Sequence, residues 1–181
     1  WHMSLTGGFM AILYHGTCIE GLNCIKANAK SHTTGRIVAY FTEDRVYALA
    51  CCRSPKEDFV TMGIREDGKQ HYYERFPKQL EVLYANRIGY LYVIDSVDGL
   101  VNIKGRTWES DKDVAVERCE IIEDVYKAIL EEERKGNVVI HRYQDIAPDE
   151  QRIHANHIKE NLDDDQAMKP FYMKHFSSFW D

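Results

Sequence analysis

The sequence lacks the features that define several large classes of protein. It has five cysteines among 181 residues, an odd number, and no two of them form a Cys-x-x-Cys pair. A disulfide framework and a thiolate zinc site are therefore disfavoured, and reduced thiols in a cytoplasmic protein are the simpler interpretation. No run of about 18 apolar residues occurs, which predicts no membrane-spanning helix. A net charge of −6 and a pI of ≈ 5.8 disfavour a broad nucleic-acid-binding surface.

We expect no secretion signal, and the sequence shows no internal repeat, no low-complexity tract and no clear linker. Residues 1–9 lack a basic start followed by an apolar stretch, and we expect them to be an expression leader. With 44% apolar residues the chain can bury one core, and we expect one domain over residues 10–147. We expect residues 148–181 to form a helical segment that packs on this domain or pairs two subunits. The aromatic residues near its end are Phe171, Tyr172, Phe176, Phe179 and Trp180.

Apolar and β-branched runs alternate with helical patterns along the domain. Strands are predicted over residues 11–15, 36–41, 59–64, 70–73, 89–94 and 138–142, and within 106–116. Helices are predicted over residues 19–25, 42–52, 77–84 and 120–135, with Thr42 as the N-cap of the second, and from 148 onward. Because strands and helices mix without strict βαβ alternation, the predicted fold class is α+β.

A histidine, a glycine and a hydroxyl stand together where the first strand ends. His15 can form a hydrogen bond with a sugar hydroxyl. Gly16 has no Cβ, so a ligand can approach its backbone, whose N–H and C=O match a carboxamide. Thr17 follows directly.

Two tyrosines near the second strand provide flat surfaces. Tyr40 lies in the strand and Tyr47 on the helix after it. Two aromatic rings in such an arrangement can enclose a flat cationic ring such as nicotinamide.

The segments LYHGT (residues 13–17) and AYFTEDRVYALA (residues 39–50) together resemble the ADP-ribosyltransferase fold. The resemblance is to its poly(ADP-ribose) polymerase-like and diphtheria-toxin-like branch, and it covers about the first 50 residues. It implies a split β-sandwich with flanking helices, in which a His-Tyr-Glu triad holds NAD as a substrate. Carried over, His15 binds the ribose, Gly16 holds the carboxamide with Thr17 in support, and Tyr40 and Tyr47 flank nicotinamide.

The third triad residue is less clear from the sequence. Glu109 is the first candidate, but Thr107 occupies the place directly before an aromatic residue, where related sequences often carry the glutamate. Glu74 is a further candidate. A carboxylate here stabilises positive charge on the ribose and orients the acceptor, and this chemistry requires no metal. Trp108 is expected to point into the core, with Thr107 and Glu109 on the other face.

The resemblance implies an NAD-dependent ADP-ribosyltransferase, a glycosyl-transfer enzyme, that makes a single transfer to a protein or nucleic-acid acceptor. Glu109, His15 and Tyr40 would then be catalytic. Three alternatives stay open: a non-catalytic NAD or ADP-ribose binding module, an NAD-dependent RNA 2′-phosphotransferase-like enzyme, and a structural protein. In structural terms, we expect the strands near Leu13 and Ala39 to be neighbours, with His15 and Tyr40 lining one cleft from the same face.

Overall fold

The computed structural model describes residues 11–53, 61–164 and 168–175. The strands in this part of the chain are β1 (Leu13–Thr17), β2 (Cys24–Ile25), β3 (Ala29–Lys30), β4 (Ile37–Thr42), β5 (Thr61–Ile64), β6 (Gln70–Tyr73), β7 (Gly89–Ile94), β8 (Val101–Lys104), β9 (Thr107–Ser110), β10 (Val114–Ala115), β11 (Arg118–Ile122) and β12 (Val138–His141). The α-helices are α1 (Arg45–Ala50), α2 (Gln79–Tyr84), α3 (Val125–Arg134), α4 (Pro148–Asp164) and α5 (Lys169–His175), and a 3₁₀ turn spans Tyr143–Asp145. This mixture confirms the α+β class.

Most strand pairs are antiparallel. The largest sheet has the order β11-β7-β1-β4-β9-β8, and β3 adds to β4 beside this path. A second sheet has the order β12-β6-β5, in which β12 and β6 run parallel, and β10 pairs with β2. The first strand of the chain therefore lies inside the large sheet, between β7 and β4.

Apolar side chains cover both faces of the large sheet. On one face, Leu91 belongs to a cluster shared with α1, α2, α3 and the β12-β6-β5 sheet. On the other face, Leu13, Phe41 and Tyr92 form a second cluster, against which Trp108 packs. The inward orientation predicted for Trp108 is thus confirmed.

Several predicted elements are confirmed. The strand at Gly89–Ile94 has the predicted bounds and is buried throughout. The hairpin around Asp67 and Gly68 joins β5 to β6, although residues 59 and 60 of its predicted first strand lie outside the described part.

The helix predicted over residues 19–25 is wrong. Gly21 has a φ of +75°, which ends any regular helical path there. The Tyr92 hydroxyl, far away in sequence, donates to the Ile19 carbonyl at 2.8 Å and accepts from the Leu22 N–H at 3.0 Å. These contacts satisfy backbone groups that a helix would have paired internally, and the segment then enters β2.

Two predicted helix starts are also wrong. Thr42 is the last residue of β4, and Asp44 caps α1 instead by accepting the N–H of Tyr47 at 3.1 Å. The helix predicted from residue 120 begins only at Val125, where Asp124 accepts the N–H of Lys127 at 3.1 Å. The residues before this cap continue the sheet as β11 because they pair with β7.

The aromatic segment near the end of the chain is described up to residue 175. Tyr172 of α5 is fully buried and meets Phe76 edge to face, at 5.6 Å between ring centroids. Phe176, Phe179 and Trp180 lie outside the described residues, as does the predicted leader at 1–9. Across the described ranges, no helix combines the length and the apolar character needed to cross a bilayer.

Candidate functional site

The large sheet opens between its strands β1 and β4. Strand β1 pairs with β7 at five successive positions, but it pairs with β4 only where Tyr14 faces Thr42. Strand β4 instead continues its pairing with β9 on the other side, over Ala39–Thr42. The two strands that carry the His-Gly-Thr and Tyr-Phe motifs are therefore neighbours that separate after a single pair.

The side chain of His15 lies where the two strands separate. Its Nδ1 is 2.9 Å from the carbonyl oxygen of Tyr40. A carbonyl oxygen can only accept, so Nδ1 carries the proton and donates it. Burial lowers the pKa of His15 from its usual value near 6.5, against the opposing effect of this hydrogen bond. At neutral pH the ring is therefore uncharged, with Nε2 available as a hydrogen-bond acceptor.

His15 and Tyr40 both line one cleft, as predicted, but they do not leave the sheet on the same face. Directly paired residues share a face, so Tyr40 lies with Thr42 and Tyr14, whereas His15 points to the side of Phe41. The rings of His15 and Phe41 are 6.0 Å apart. Both side chains reach the cleft because the strands have separated, so the assumption of a common face was wrong.

The cleft at this opening has a volume of about 420 Å³, within the size range of small-molecule sites. Its lining combines aromatic, hydroxyl and cationic side chains with the backbone of Gly16. The lining residues are Tyr14, His15, Gly16, His32, Thr33, Tyr40, Phe41, Thr42, Tyr47, Ala48, Cys51, Ile103, Lys104 and Thr107. Tyr47 is 41% exposed, so much of its side chain remains open to solvent.

Gly16 has a packing role that the sequence did not indicate. A Cβ placed on Gly16 would lie 1.8 Å from the backbone oxygen of Ala48 in α1. Only glycine lets α1 approach β1 this closely, and α1 in turn brings Tyr47 to the cleft. The space left by the missing Cβ, which we expected a ligand to approach, is thus occupied by the backbone of α1.

Thr17 lies outside the set of residues that line the cleft. Its hydroxyl accepts the backbone N–H of Ile19 at 3.2 Å, which helps the chain turn after β1. The support for a carboxamide that we expected from Thr17 stays a prediction.

The structure separates the three candidates for the acidic position. Glu109 lies directly opposite Tyr40 in the ladder between β9 and β4, and Thr107 lies opposite Thr42. Thr107 lines the cleft, whereas Glu109 is 4% exposed and accepts a hydrogen bond from the Ser31 hydroxyl at 2.6 Å. The carboxylate thus lies beside the cleft, on the same face as Tyr40, under the loop of residues 31–35.

Glu74 belongs to a different part of the molecule. It follows β6 in the smaller sheet, and its two carboxylate oxygens accept the N–H groups of Leu80 and Tyr143, each at 3.0 Å. Both oxygens therefore hold chain segments together, one at the start of α2 and one at the 3₁₀ turn. Because both oxygens are hydrogen-bonded, the side chain can be buried, and it does not line the cleft between β1 and β4.

The loop of residues 31–35 contributes cleft residues that sequence reasoning missed. His32 and Thr33 line the cleft, and the backbone N–H of His32 donates to the Tyr40 hydroxyl at 3.1 Å. The residues of this loop are polar (SHTTG), but no local pattern in the sequence ties them to Tyr40 or Glu109. Among the described residues, no group of three or more His, Cys, Asp or Glu side chains is arranged to hold a metal ion.

Comparisons with known proteins provide no further guide to this site. No protein-family model matches the chain. No curated protein and no solved structure matches it either.

Proposed function

We propose that this chain binds NAD in the cleft between β1 and β4 and transfers ADP-ribose to a macromolecular acceptor. The fold we propose for it is an ADP-ribosyltransferase-like split β-sandwich. One observation carries the proposal: His15 lies at the point where the two motif strands separate, hydrogen-bonded to the Tyr40 backbone. Because the sheet opens at this histidine and tyrosine, a flat ligand such as nicotinamide can bind in the cleft between the two strands.

The residues of the cleft support distinct roles. The free Nε2 of neutral His15 can accept a hydrogen bond from a ribose hydroxyl. Tyr40 and Tyr47 offer aromatic surface for nicotinamide on the same cleft. Glu109, beside Tyr40, supplies negative charge as the bond between nicotinamide and ribose breaks and positive charge develops on the sugar.

A second candidate function has an observation in its favour. Glu109 is almost completely buried beneath the loop of residues 31–35. If the carboxylate stays there, NAD or ADP-ribose can bind without being cleaved, and the protein is a binding module. The same fold and cleft would serve both functions.

Incubation of the purified protein with NAD labelled in the adenylate portion, with and without cell lysate, tests the proposal. We expect nicotinamide release and label on a protein or nucleic acid, with both signals lost in His15→Ala. Release of nicotinamide without label on any protein or nucleic acid would indicate hydrolysis of NAD rather than transfer. Binding without release would favour the binding module, and the absence of both release and binding would refute the proposal.

A further inference from the structure

The hydroxyl of Ser31 is the centre of a buried network next to the cleft. Ser31 is 2% exposed, and its oxygen accepts the backbone N–H groups of Thr33 at 3.2 Å and Thr34 at 3.0 Å. Both lone pairs of the hydroxyl are then used, so its single hydrogen is directed to Glu109, at 2.6 Å. Ser31 is therefore a donor to one oxygen of this carboxylate.

The backbone of Ser31 closes the loop that it belongs to. Its N–H donates to the carbonyl of Arg36 at 2.7 Å, and its carbonyl accepts the N–H of Gly35 at 2.9 Å. Gly35 has a φ of +71°, a conformation that favours glycine and completes the tight return of the chain. The loop is thus a compact unit organised by one serine.

This unit is anchored to a single cross-strand pair of the large sheet. Ser31 contacts Glu109, and the N–H of His32 contacts the Tyr40 hydroxyl at 3.1 Å. Glu109 and Tyr40 face each other directly in the ladder. Any movement of the loop over the cleft therefore acts both on Glu109, which we propose to act at the ribose, and on Tyr40, which we propose to flank nicotinamide.

One of the two carboxylate oxygens of Glu109 is available for a further hydrogen bond. Its Oε1 accepts the Ser31 hydroxyl, while Oε2 has no hydrogen bond to the residues that the structure describes. A donor on one oxygen restrains rotation of the carboxylate, and this limits the positions that the other oxygen can take. Such orientation by a neighbouring hydrogen bond is how a supporting residue acts on a catalytic one.

We infer that Ser31 is a positioning residue, which orients the Glu109 carboxylate for the ribose and couples it to the loop that carries His32 and Thr33. This inference rests on the proposed NAD-cleaving function. It assigns Ser31 no contact with the substrate, and its effect passes through Glu109.

Steady-state kinetics of NAD cleavage in four variants tests this inference. Ser31→Ala removes the donor, and we expect kcat to fall about tenfold while KM changes by less than about threefold. Ser31→Thr keeps a hydroxyl and should retain most of the activity. Ser31→Cys, with a weaker donor of similar size, should have an intermediate kcat. Ser110→Ala is the matched control, because Ser110 is also buried in this region but its hydroxyl, among the residues that the structure describes, bonds only to the backbone of Lys112.

A double-mutant cycle separates positioning from a purely structural role. In a Glu109→Gln background the carboxylate charge is already lost, so adding Ser31→Ala should lower kcat by less than about twofold. Additive losses in the double variant, an unchanged kcat in Ser31→Ala, or an equal loss in Ser110→Ala would each overturn the inference. If Ser31→Ala does not fold, Ser31→Cys is used in its place, and wild-type kcat in that variant would overturn the inference too. A wild-type protein that does not cleave NAD would instead refute the proposed transferase activity, on which this inference rests.

Discussion

Replacement of Glu109 by glutamine is expected to lower the rate of NAD cleavage by about 100-fold or more while leaving NAD affinity nearly unchanged. Glutamine keeps the shape of the side chain, and its amide oxygen can still accept the hydrogen bond from Ser31. What it removes is the negative charge next to Tyr40, where positive charge develops on the ribose as nicotinamide leaves. One well-placed electrostatic group is typically worth roughly 3–4 kcal/mol in the transition state, which supports an effect of this size.

The control for this experiment is Glu74→Gln. Glu74 is as deeply buried as Glu109, but its two oxygens hold the backbone at Leu80 and Tyr143, and none of these three residues lines the cleft. Glutamine has one acceptor oxygen in place of two, so this variant should be less stable and yet cleave NAD at the wild-type rate. Full activity in Glu109→Gln together with lost activity in a folded Glu74→Gln would contradict the assignment of the acid.

Replacement of Gly16 by alanine is expected to destabilise the protein by about 3 kcal/mol. The new Cβ would lie 1.8 Å from the Ala48 backbone oxygen, and a backbone atom cannot rotate away as a side chain can. Inserting one carbon into a well-packed region typically costs about 1–3 kcal/mol, and the rigid contact here places the cost at the upper end. Because α1 must move, Tyr47 moves with it, so ligand binding should weaken as well.

Urea denaturation measures this loss directly through the midpoint of unfolding. Gly63→Ala is the matched control, since Gly63 also lies in a strand but a Cβ there meets no atom within 4 Å. Its effect should stay within about 0.5 kcal/mol. Equal stability of the two alanine variants would show that α1 does not pack on β1 in this way.

Elements with a strong local signal could be predicted from the sequence. The strand at Gly89–Ile94 is an unbroken apolar run, and the turn at Asp67 and Gly68 is a typical hairpin connection. In both cases the neighbouring residues themselves favour the observed conformation, and the rest of the fold agrees with it.

Elements that depend on distant partners could not be predicted. The segment after Thr17 has a helical spacing of apolar residues. However, its backbone groups at Ile19 and Leu22 form hydrogen bonds with the hydroxyl of Tyr92, which lies 70 positions after Leu22. In the helix predicted over residues 120–135, the helical spacing of apolar residues likewise begins at Ile122. Residues 118–122 nevertheless form a strand, because they pair with β7. In both segments, tertiary contacts override the local preference for a helix.

The candidate site divides in the same way. The two motifs correctly predicted that His15 and Tyr40 line one cleft, because the strands that carry them are neighbours in the sheet. The contact between Ser31 and Glu109 spans 78 positions and has no signature in spacing. Likewise, the approach of Ala48 to Gly16 became visible only once α1 was placed on β1.

Calorimetric titration of the wild-type protein with NAD at neutral pH tests most directly whether the cleft between β1 and β4 binds this ligand. We expect saturable binding to one site, weakened at least tenfold in His15→Ala, which lacks the acceptor nitrogen at the strand opening. Binding should also raise the melting temperature, because a ligand of the native state stabilises it. No binding heat and an unchanged melting temperature at millimolar NAD, repeated with ADP-ribose, would contradict both the enzyme and the binding module.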